Sequence, residues 1–246
     1  MDKASIIAEK IGVRFGGFRA LDLVDLEIVA GSLHSIIGPN GAGKTTLFNV
    51  LTGRLPPSEG CVRLGARDIT RMAAHGRVHL GIARSFQVTN IFQNLTVAEN
   101  VRLAVQAVRR GDSWTFWRGV SPDRNVEEIL TATGLQARAT DRAGTLSHGA
   151  QRALEIGMAL GSDPRYVFLD EPLAGVSIDD IHRIKTLIRG LTPRRTVVLI
   201  EHNMRVVLDI SDRITVLAQG EVIAEGAPAD IRANPTVRAA YLGASI

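Results

Sequence analysis

A phosphate-loop pattern limits what this chain can fold into more than any other feature. Residues Gly38 to Thr45 read G-P-N-G-A-G-K-T, which satisfies the pattern G-x-x-x-x-G-K-[ST]. A β-rich run, Leu33–Ile37, precedes the loop, and residues 44–55 after it have a helical composition. Because this arrangement aims backbone N–H groups and a helix N-terminus at one anion, it predicts a nucleotide-binding α/β domain.

The residue types within the loop indicate their roles. The glycines permit backbone torsions that expose several N–H groups to one anion. Lys44 places a cation near the β- and γ-phosphates, and Thr45 offers a hydroxyl group to Mg²⁺. The residues predicted to bind the nucleotide at this loop are Gly38, Pro39, Asn40, Gly41, Ala42, Gly43, Lys44, Thr45 and Thr46.

Composition excludes several other classes of protein. A hydrophobic fraction of 45% and a net charge of +4 over 246 residues exclude a disordered chain and predict one large domain or two small ones. Cys61 is the one cysteine, which excludes an internal disulfide framework and Cys-based metal sites. The sequence shows no signal peptide, and its apolar runs are too short to span a bilayer. The basic residues are scattered, which argues against nucleic-acid binding.

The order of predicted elements indicates a parallel sheet with helices. Strand-like and helix-like runs alternate after the loop, as in α/β folds. The block Val88–Asp163 interrupts this alternation with helical patterns and is predicted to be an insertion. Strands are predicted at Ser5–Ile11, Leu23–Val29, Leu33–Ile37, Tyr166–Asp170, Thr196–Ile200, Ile214–Leu217 and Val222–Glu225, and helices at Thr96–Arg110, Pro122–Thr133, Ala150–Leu160, Ile178–Arg189, Met204–Ile210, Pro228–Arg232 and Pro235–Leu242.

Two further predicted strands end in polar residues. Asp170 and Glu171 follow the apolar run from Tyr166, and the carboxyl ends of parallel strands face the ligand crevice. Asp170 is predicted to hold Mg²⁺, and Glu171 to polarise the attacking water. His202 follows the run Thr196–Ile200 and is placed to reach the γ-phosphate.

Together, these motifs resemble those of ABC transporter ATPase subunits. Leu146–Arg152 looks like the LSGGQ signature of that family, and Phe15 matches the aromatic residue that stacks on adenine. Gln87 matches the Q-loop, and His202 matches the switch histidine. The resemblance covers nearly the whole chain with motifs in the family's order. It implies ATP as the nucleotide, with Mg²⁺ held by Thr45, Gln87 and Asp170, and catalysis by Glu171 and His202.

The resemblance also implies a fold and its divisions. The expected fold class is α/β: a P-loop NTPase of the ABC ATPase type, with a RecA-like core, an antiparallel β subdomain and an inserted α-helical subdomain. Residues 1–246 form a single ABC ATPase domain. Its predicted parts are a nucleotide-binding core (1–87 and 164–226), a helical subdomain with the signature (88–163) and a C-terminal helical tail (227–246).

The signature residues have a physical rationale as an anion site. Ser147 and Gly149 lie just before the helix predicted to begin near Ala150, which brings a hydroxyl group, N–H groups and a helix N-terminus together. The resemblance implies that they bind the γ-phosphate held by a second ATPase subunit, in a head-to-tail dimer. The residues assigned to this contact are Ser147, His148, Gly149 and Gln151.

Three positions depart from the family pattern. His148 stands where the family usually has Gly, and Ala150 where it has Gln or a similar polar residue. Ser177 stands where many members have Asp, so it either makes a weaker contact across a dimer or caps the next helix.

Finer resemblance indicates the transported solute. Gly81–Gln87 and Pro235–Gly243 look like the ATPase subunits of branched-chain amino-acid importers, whereas Leu146–Gly149 and Leu154–Met158 look more like urea and short-chain amide subunits. We favour uptake of branched-chain or other hydrophobic amino acids. The implied partners are a second ATPase subunit of the same or another kind, membrane permease subunits and, indirectly, a substrate-binding protein. The implied location is the cytoplasmic face of a bacterial or archaeal plasma membrane.

The permease contact is expected at Val88–Asn94, where the core meets the helical block. The segment Gly111–Arg118 holds both tryptophans and is either a partner surface or a loop that buries its own rings. Competing hypotheses for the function are a soluble ABC ATPase without a transport role, a GTPase switch, and a nucleotide sensor that does not hydrolyse its nucleotide. A GTPase should carry an Asn-Lys-x-Asp motif, which the sequence lacks.

Overall fold

The computed structural model describes residues 4–85, 91–109 and 122–242. The strands are β1 Ile6–Phe15, β2 Phe18–Ile28, β3 Leu33–Ile37, β4 Glu59–Leu64, β5 Arg67–Asp68, β6 Ile82–Arg84, β7 Tyr166–Asp170, β8 Thr196–Ile200, β9 Arg213–Ala218 and β10 Glu221–Gly226. The helices are α1 Lys44–Leu51, α2 Ala74–Val78, α3 Val97–Arg109, α4 Pro122–Thr133, α5 His148–Leu160, α6 Ile178–Gly190, α7 Met204–Ile210, α8 Pro228–Ala233 and α9 Pro235–Leu242.

A six-stranded sheet forms the centre, in the order β10-β9-β3-β8-β7-β6. Its strands from β9 to β6 pair in parallel, and β10 pairs antiparallel with β9. Strands β3, β7 and β8 are buried along their whole length, as expected for parallel strands covered on both faces. The loop Gly38–Thr45 follows the end of β3, whose neighbours in the sheet are β8 and β9.

A four-stranded antiparallel sheet, in the order β2-β1-β4-β5, lies next to this core. In β2, Val24, Leu26 and Ile28 are buried while Asp25 and Glu27 are exposed, so this part of the strand has one buried face and one exposed face. Helices α3, α4 and α5 pack against one another between β6 and β7 in the chain. The fold class is therefore the predicted one, an α/β core with an antiparallel sheet and an inserted helical block.

The central sheet separates two apolar clusters by the alternation of its side chains. Val167 and Leu169 point to a cluster shared with α3, α4, α5 and α6. Phe168 and Val198 point to a cluster shared with α1 and the antiparallel sheet. The helical block thus shares one core with a face of the sheet.

Several element predictions need correction. Helix α5 begins at His148 and not near Ala150, because the Ser147 side chain caps the helix two residues earlier. Helix α1 ends at Leu51, several residues before the predicted Leu55. The short elements β4, β5, β6 and α2 were not predicted, since each is too short or too polar to show periodicity. Within the described ranges, no helix is long and apolar enough to cross a membrane.

Candidate nucleotide site

The phosphate loop is tightly built into the core. A Cβ atom on Gly38 would lie 2.1 Å from the Leu217 carbonyl oxygen, and one on Gly43, where φ is +97°, would lie 2.7 Å from the Ala20 carbonyl oxygen. Gly43 is also the N-cap of α1 and offers no side chain, so the first turn of this helix lacks a side-chain cap. Only glycine fits these positions, and the loop's open N–H groups suit an anion.

Lys44 is folded back over the loop that precedes it. Its Nζ donates hydrogen bonds to the carbonyl oxygens of Gly38 (2.7 Å) and Pro39 (2.8 Å). Burial lowers the pKa of Lys44, while the negative charges of Glu171 and Asp170 oppose that shift. The strand-end carboxylates therefore lie close enough to act on the loop's cation.

Asp170 is held by a buried arginine. Its Oδ2 accepts a hydrogen bond from Arg84 Nη2 at 2.8 Å, and its side chain is 1% exposed. Burial raises the pKa of Asp170, and Arg84 opposes that rise. The other carboxylate oxygen, Oδ1, is buried without a hydrogen-bond partner. An unpartnered carboxylate oxygen fits a hard cation such as Mg²⁺, and the exposed residue Thr45 directly follows Lys44, on which the charge of Asp170 acts.

Glu171 and His202 lie side by side at the ends of neighbouring strands. The distance from Glu171 Oε1 to His202 Nδ1 is 3.9 Å, too long for a hydrogen bond, and both side chains are at least one-third exposed. Glu171 has a φ of +46°, a left-handed conformation that is uncommon outside glycine. Both side chains are free to move toward a ligand in the crevice.

The signature residues lie at the start of α5 and open to solvent. Ser147 Oγ accepts a hydrogen bond from the Ala150 N–H at 3.3 Å, and Ser147 and His148 are exposed. Gly149 is packed against α6, because a Cβ atom there would lie 2.3 Å from Asp180 Cγ. None of the described hydrogen bonds or ion pairs joins Ser147, His148 or Gly149 to residues 38–46.

The remaining predicted positions differ in their surroundings. Phe15 is 51% exposed at the end of β1, as a stacking surface requires. Gln151 turns its amide toward the carbonyl oxygen of Leu146 at 3.3 Å, so it is engaged within its own chain. Ser177 caps α6, with its Oγ accepting from the Asp180 N–H at 3.3 Å. Gln87 and the tryptophan segment Gly111–Arg118 lie outside the described residues.

The sequence profile of the ABC transporter family matches residues 21–174. The chain belongs to the ABC transporter family. A second profile, that of the branched-chain amino acid ATP-binding cassette transporter, matches residues 221–245.

Similar proteins of this family span almost the full chain. It is 38% identical to the high-affinity branched-chain amino acid transport ATP-binding protein BraF of Pseudomonas aeruginosa, over 99% of both chains. It is 39% identical to the corresponding protein LivG of Escherichia coli, over 94% of both chains.

Solved ABC cassettes have the same fold. An ATP-binding cassette of an ABC transporter in its ADP conformation has a TM-score of 0.85 and 33% identity, covering 98% of this chain and 100% of that one. A dimeric bacterial ABC transporter cassette has a TM-score of 0.76 and 26% identity, covering 91% and 98%. The chain is an ATP-binding and ATP-hydrolysing ABC ATPase.

In this ABC ATPase, sequence reasoning missed three residues that hold the site. Arg84 binds Asp170 and also donates to Asn49 Oδ1 at 2.5 Å, with its guanidinium over the Phe48 ring. Glu201 is buried and accepts a hydrogen bond from the Leu173 N–H at 3.0 Å. For Arg84 and Glu201, the available sequence signal was a charged residue inside or directly after an otherwise apolar strand.

The third missed residue comes from the last helix. Tyr241, on α9, packs on the cluster that contains Ile37, Val207 and Val216. Burial raises the pKa of its hydroxyl to about 12, and its interaction with the Gly38 backbone opposes that rise. The segment matched by the branched-chain profile therefore reaches the first residue of the phosphate loop.

Proposed function

We propose that this chain is the ATP-hydrolysing subunit of an importer for branched-chain or other hydrophobic amino acids. The observation that carries the proposal is the match of residues 221–245 to the branched-chain cassette profile, combined with near full-length similarity to BraF and LivG. The nucleotide-site geometry supports the ATPase part of the proposal, and the relatives' transport role supports the solute.

ATP is proposed to bind with its phosphates on residues 38–46 and its adenine against Phe15. Lys44 then exchanges its two loop carbonyls for the β- and γ-phosphates, since a phosphate oxygen is the stronger acceptor for a buried ammonium. Thr45, Asp170 and Gln87 are proposed to hold Mg²⁺, which would neutralise charge on the phosphates. Among the described residues no group of three His, Cys, Asp or Glu side chains converges.

Glu171 is proposed to orient and polarise the attacking water, with His202 contacting the γ-phosphate. Their 3.9 Å separation at adjacent strand ends lets both side chains act on one phosphate group. His202 would stabilise negative charge as the bond to the leaving group breaks.

A second ATPase subunit is proposed to supply the signature face. Ser147 and His148 are exposed and make no described hydrogen bond or ion pair with residues 38–46 of their own chain, so with Gly149 and Gln151 they would complete the site of a facing subunit. The dimer similarity supports this arrangement. Both a homodimer and a pair with a related ATPase fit this geometry.

The permease is proposed to dock at Val88–Asn94. Residues 88–90 lie outside the described part, but Phe92 is 53% exposed beside them. Buried Asn100 fixes the Phe92 backbone by accepting from its N–H at 2.7 Å and donating to its carbonyl oxygen at 3.1 Å. A rigid exposed aromatic residue is well suited to a protein contact. The subunit would sit on the cytoplasmic face of the membrane, supplied with solute by a substrate-binding protein.

Uptake of labelled leucine and labelled urea in cells lacking this gene tests the solute. The cells are complemented with wild type or with Lys44→Ala. Leucine uptake restored by wild type alone supports the proposal. Restoration of urea uptake alone would mean that the signature region carried the subgroup signal, and no response from either solute would contradict both importers.

A further inference from the structure

The backbone at Glu171 is held in a conformation that its sequence disfavours. Its φ of +46° is left-handed, and the Cβ of a non-glycine residue makes this region costly. Pro172 follows directly and favours extended backbone at Glu171. Such a conformation persists only where surrounding contacts fix it.

Three groups from different elements supply those contacts. The Glu171 N–H donates to the Ile200 carbonyl oxygen at 2.9 Å. The Leu173 N–H donates to Glu201 Oε1 at 3.0 Å. One guanidinium also contacts two consecutive carbonyls: Arg152 Nη2 donates at 2.9 Å to the Glu171 oxygen, which accepts from the Ala174 N–H as well, and Arg152 Nε donates to the Pro172 oxygen at 3.1 Å.

Arg152 is itself fixed by a buried partner. Its Nη1 lies 2.5 Å from Glu155 Oε2, one turn along α5, and the two side chains are 13% and 7% exposed. Because the planar guanidinium has donors in a rigid fork, it can serve the carboxylate and two consecutive carbonyls together. A lysine ammonium could not span the same three acceptors in this geometry.

We propose that Arg152 is a positioning residue for ATP hydrolysis: it holds the Glu171–Pro172 turn so that the Glu171 carboxylate faces the attacking water. This inference rests on the proposed role of Glu171. Arg152 also lies on α5, the helix that begins at the signature turn (Ser147, His148 and Gly149). A displacement of α5 would therefore be passed to the catalytic carboxylate of the same subunit.

The test replaces the buried pair as a unit in the full-length chain. Removing Arg152 alone would leave Glu155 as a buried unpaired charge and destabilise the fold. The double substitution Arg152→Met with Glu155→Leu, called the clamp variant, removes the hydrogen bonds from Arg152 to Glu171 and Pro172 and leaves no unpaired buried charge. The matched control is Arg138→Met with Asp141→Leu, which removes a surface arginine–carboxylate pair of the same spacing.

We expect the clamp variant to lower kcat about tenfold or more while changing ATP affinity less than about twofold, because misplacing a catalytic group affects the chemical step. The surface control should keep both within about twofold of wild type. Arg152→Lys should recover only a small part of kcat. A clamp variant with kcat within about twofold of wild type would overturn the proposal.

A double-mutant cycle separates this proposal from the role of Glu171. If Arg152 acts through Glu171, the clamp variant should change the residual rate of Glu171→Gln less than about twofold. The same tenfold loss in both backgrounds would mean that Arg152 acts elsewhere. Full turnover by Glu171→Gln alone would instead refute the catalytic role of Glu171.

Discussion

The phosphate loop and the signature turn each combine glycine residues with a helix N-terminus, yet they are built in opposite ways. The loop has no room for a Cβ atom at Gly38 or Gly43, and its lysine is buried. The signature turn leaves Ser147 and His148 exposed, with only Gly149 packed. The loop is fixed by packing within its own chain, whereas the signature residues, which are proposed to serve a second subunit, stay open to solvent. The two regions should therefore respond differently to mutation.

The largest difference should come from Lys44→Ala. Loss of a charge-assisted contact to the phosphates should weaken ATP binding by the single chain about 100-fold, measured by titration calorimetry. Lys185→Ala is the matched control, because it removes only a surface ion pair with Asp209. An ATP affinity that is unchanged in Lys44→Ala would contradict the assignment of this loop to phosphate binding.

Glu171→Gln should separate binding from chemistry. We expect turnover to fall about 100-fold or more, since a group that activates water is lost, while ATP affinity is kept. Addition of ATP should then trap a dimer, measured by size-exclusion chromatography with light scattering. A monomeric variant that hydrolyses ATP at the normal rate would contradict both the mechanism and the dimer.

Ser147→Ala tests the open surface. Turnover should fall about tenfold because the proposed hydroxyl contact to the facing subunit's phosphate is lost, with ATP binding by the single chain unchanged. Thr96→Ala is the control for lost capping, since Thr96 Oγ1 accepts from the Glu99 N–H at 3.2 Å at the start of α3. Each change should cost about 1 kcal/mol of stability. Equal turnover in the two variants would mean that Ser147 only caps its helix.

Acid should lower the stability of the fold through a buried histidine in β3, the strand that precedes the phosphate loop. His34 is fully buried in β3, and burial, aided by the charge of Arg213, lowers its pKa from 6.5 to about 3. Between these pH values the unfolded chain binds a proton that the folded chain excludes. The free energy of unfolding should therefore decrease as pH falls from about 6.5 toward 3, by up to about 1.4 kcal/mol per unit.

Urea unfolding at several pH values between about 6.5 and 3 measures how steeply the free energy of unfolding changes with pH. His34→Leu with Thr215→Val removes the histidine and its hydrogen-bond partner, and should flatten the curve. His79→Leu, at an exposed position, should leave the slope as it is. A slope that survives in the His34 variant would assign it to other groups.

The smallest effect is expected from Tyr241→Phe. Loss of the hydroxyl's interaction with the Gly38 backbone should weaken ATP binding about two- to fivefold, measured by calorimetry. Tyr166→Phe is the matched control, because its hydroxyl donates to the Ala4 carbonyl oxygen away from the loop. Equal affinities in the two variants would limit Tyr241 to packing.

Local pattern was enough to predict the limits of several elements, whereas the antiparallel sheet was expected only from the family resemblance. The limits of β3, β7, β8, α4, α7 and α9 agree with their predicted ranges, because apolar runs and proline or glycine boundaries mark them in the sequence. The start of α5 was wrong because Gly149 is a poor helix residue, and its packing against Asp180 became visible only in three dimensions.

The partners of the site residues could not be predicted in the same way. Arg84 and Asp170 are far apart in sequence and meet because β6 pairs with β7 in a register that sets Arg84 opposite Phe168. Arg152 reaches Glu171 only because α5 packs beside the end of β7. Such pairs depend on sheet order and helix packing, which a single sequence does not specify.

The position of β3 in the sheet has a consequence for synthesis of the chain. Its two hydrogen-bonded neighbours, β8 and β9, are residues 196–200 and 213–218, so the strand ahead of the loop stays unpaired until most of the protein has left the ribosome. At about 5–20 residues per second this interval lasts on the order of ten seconds or more. The strand that precedes the phosphate loop therefore obtains both of its native neighbours only late in synthesis.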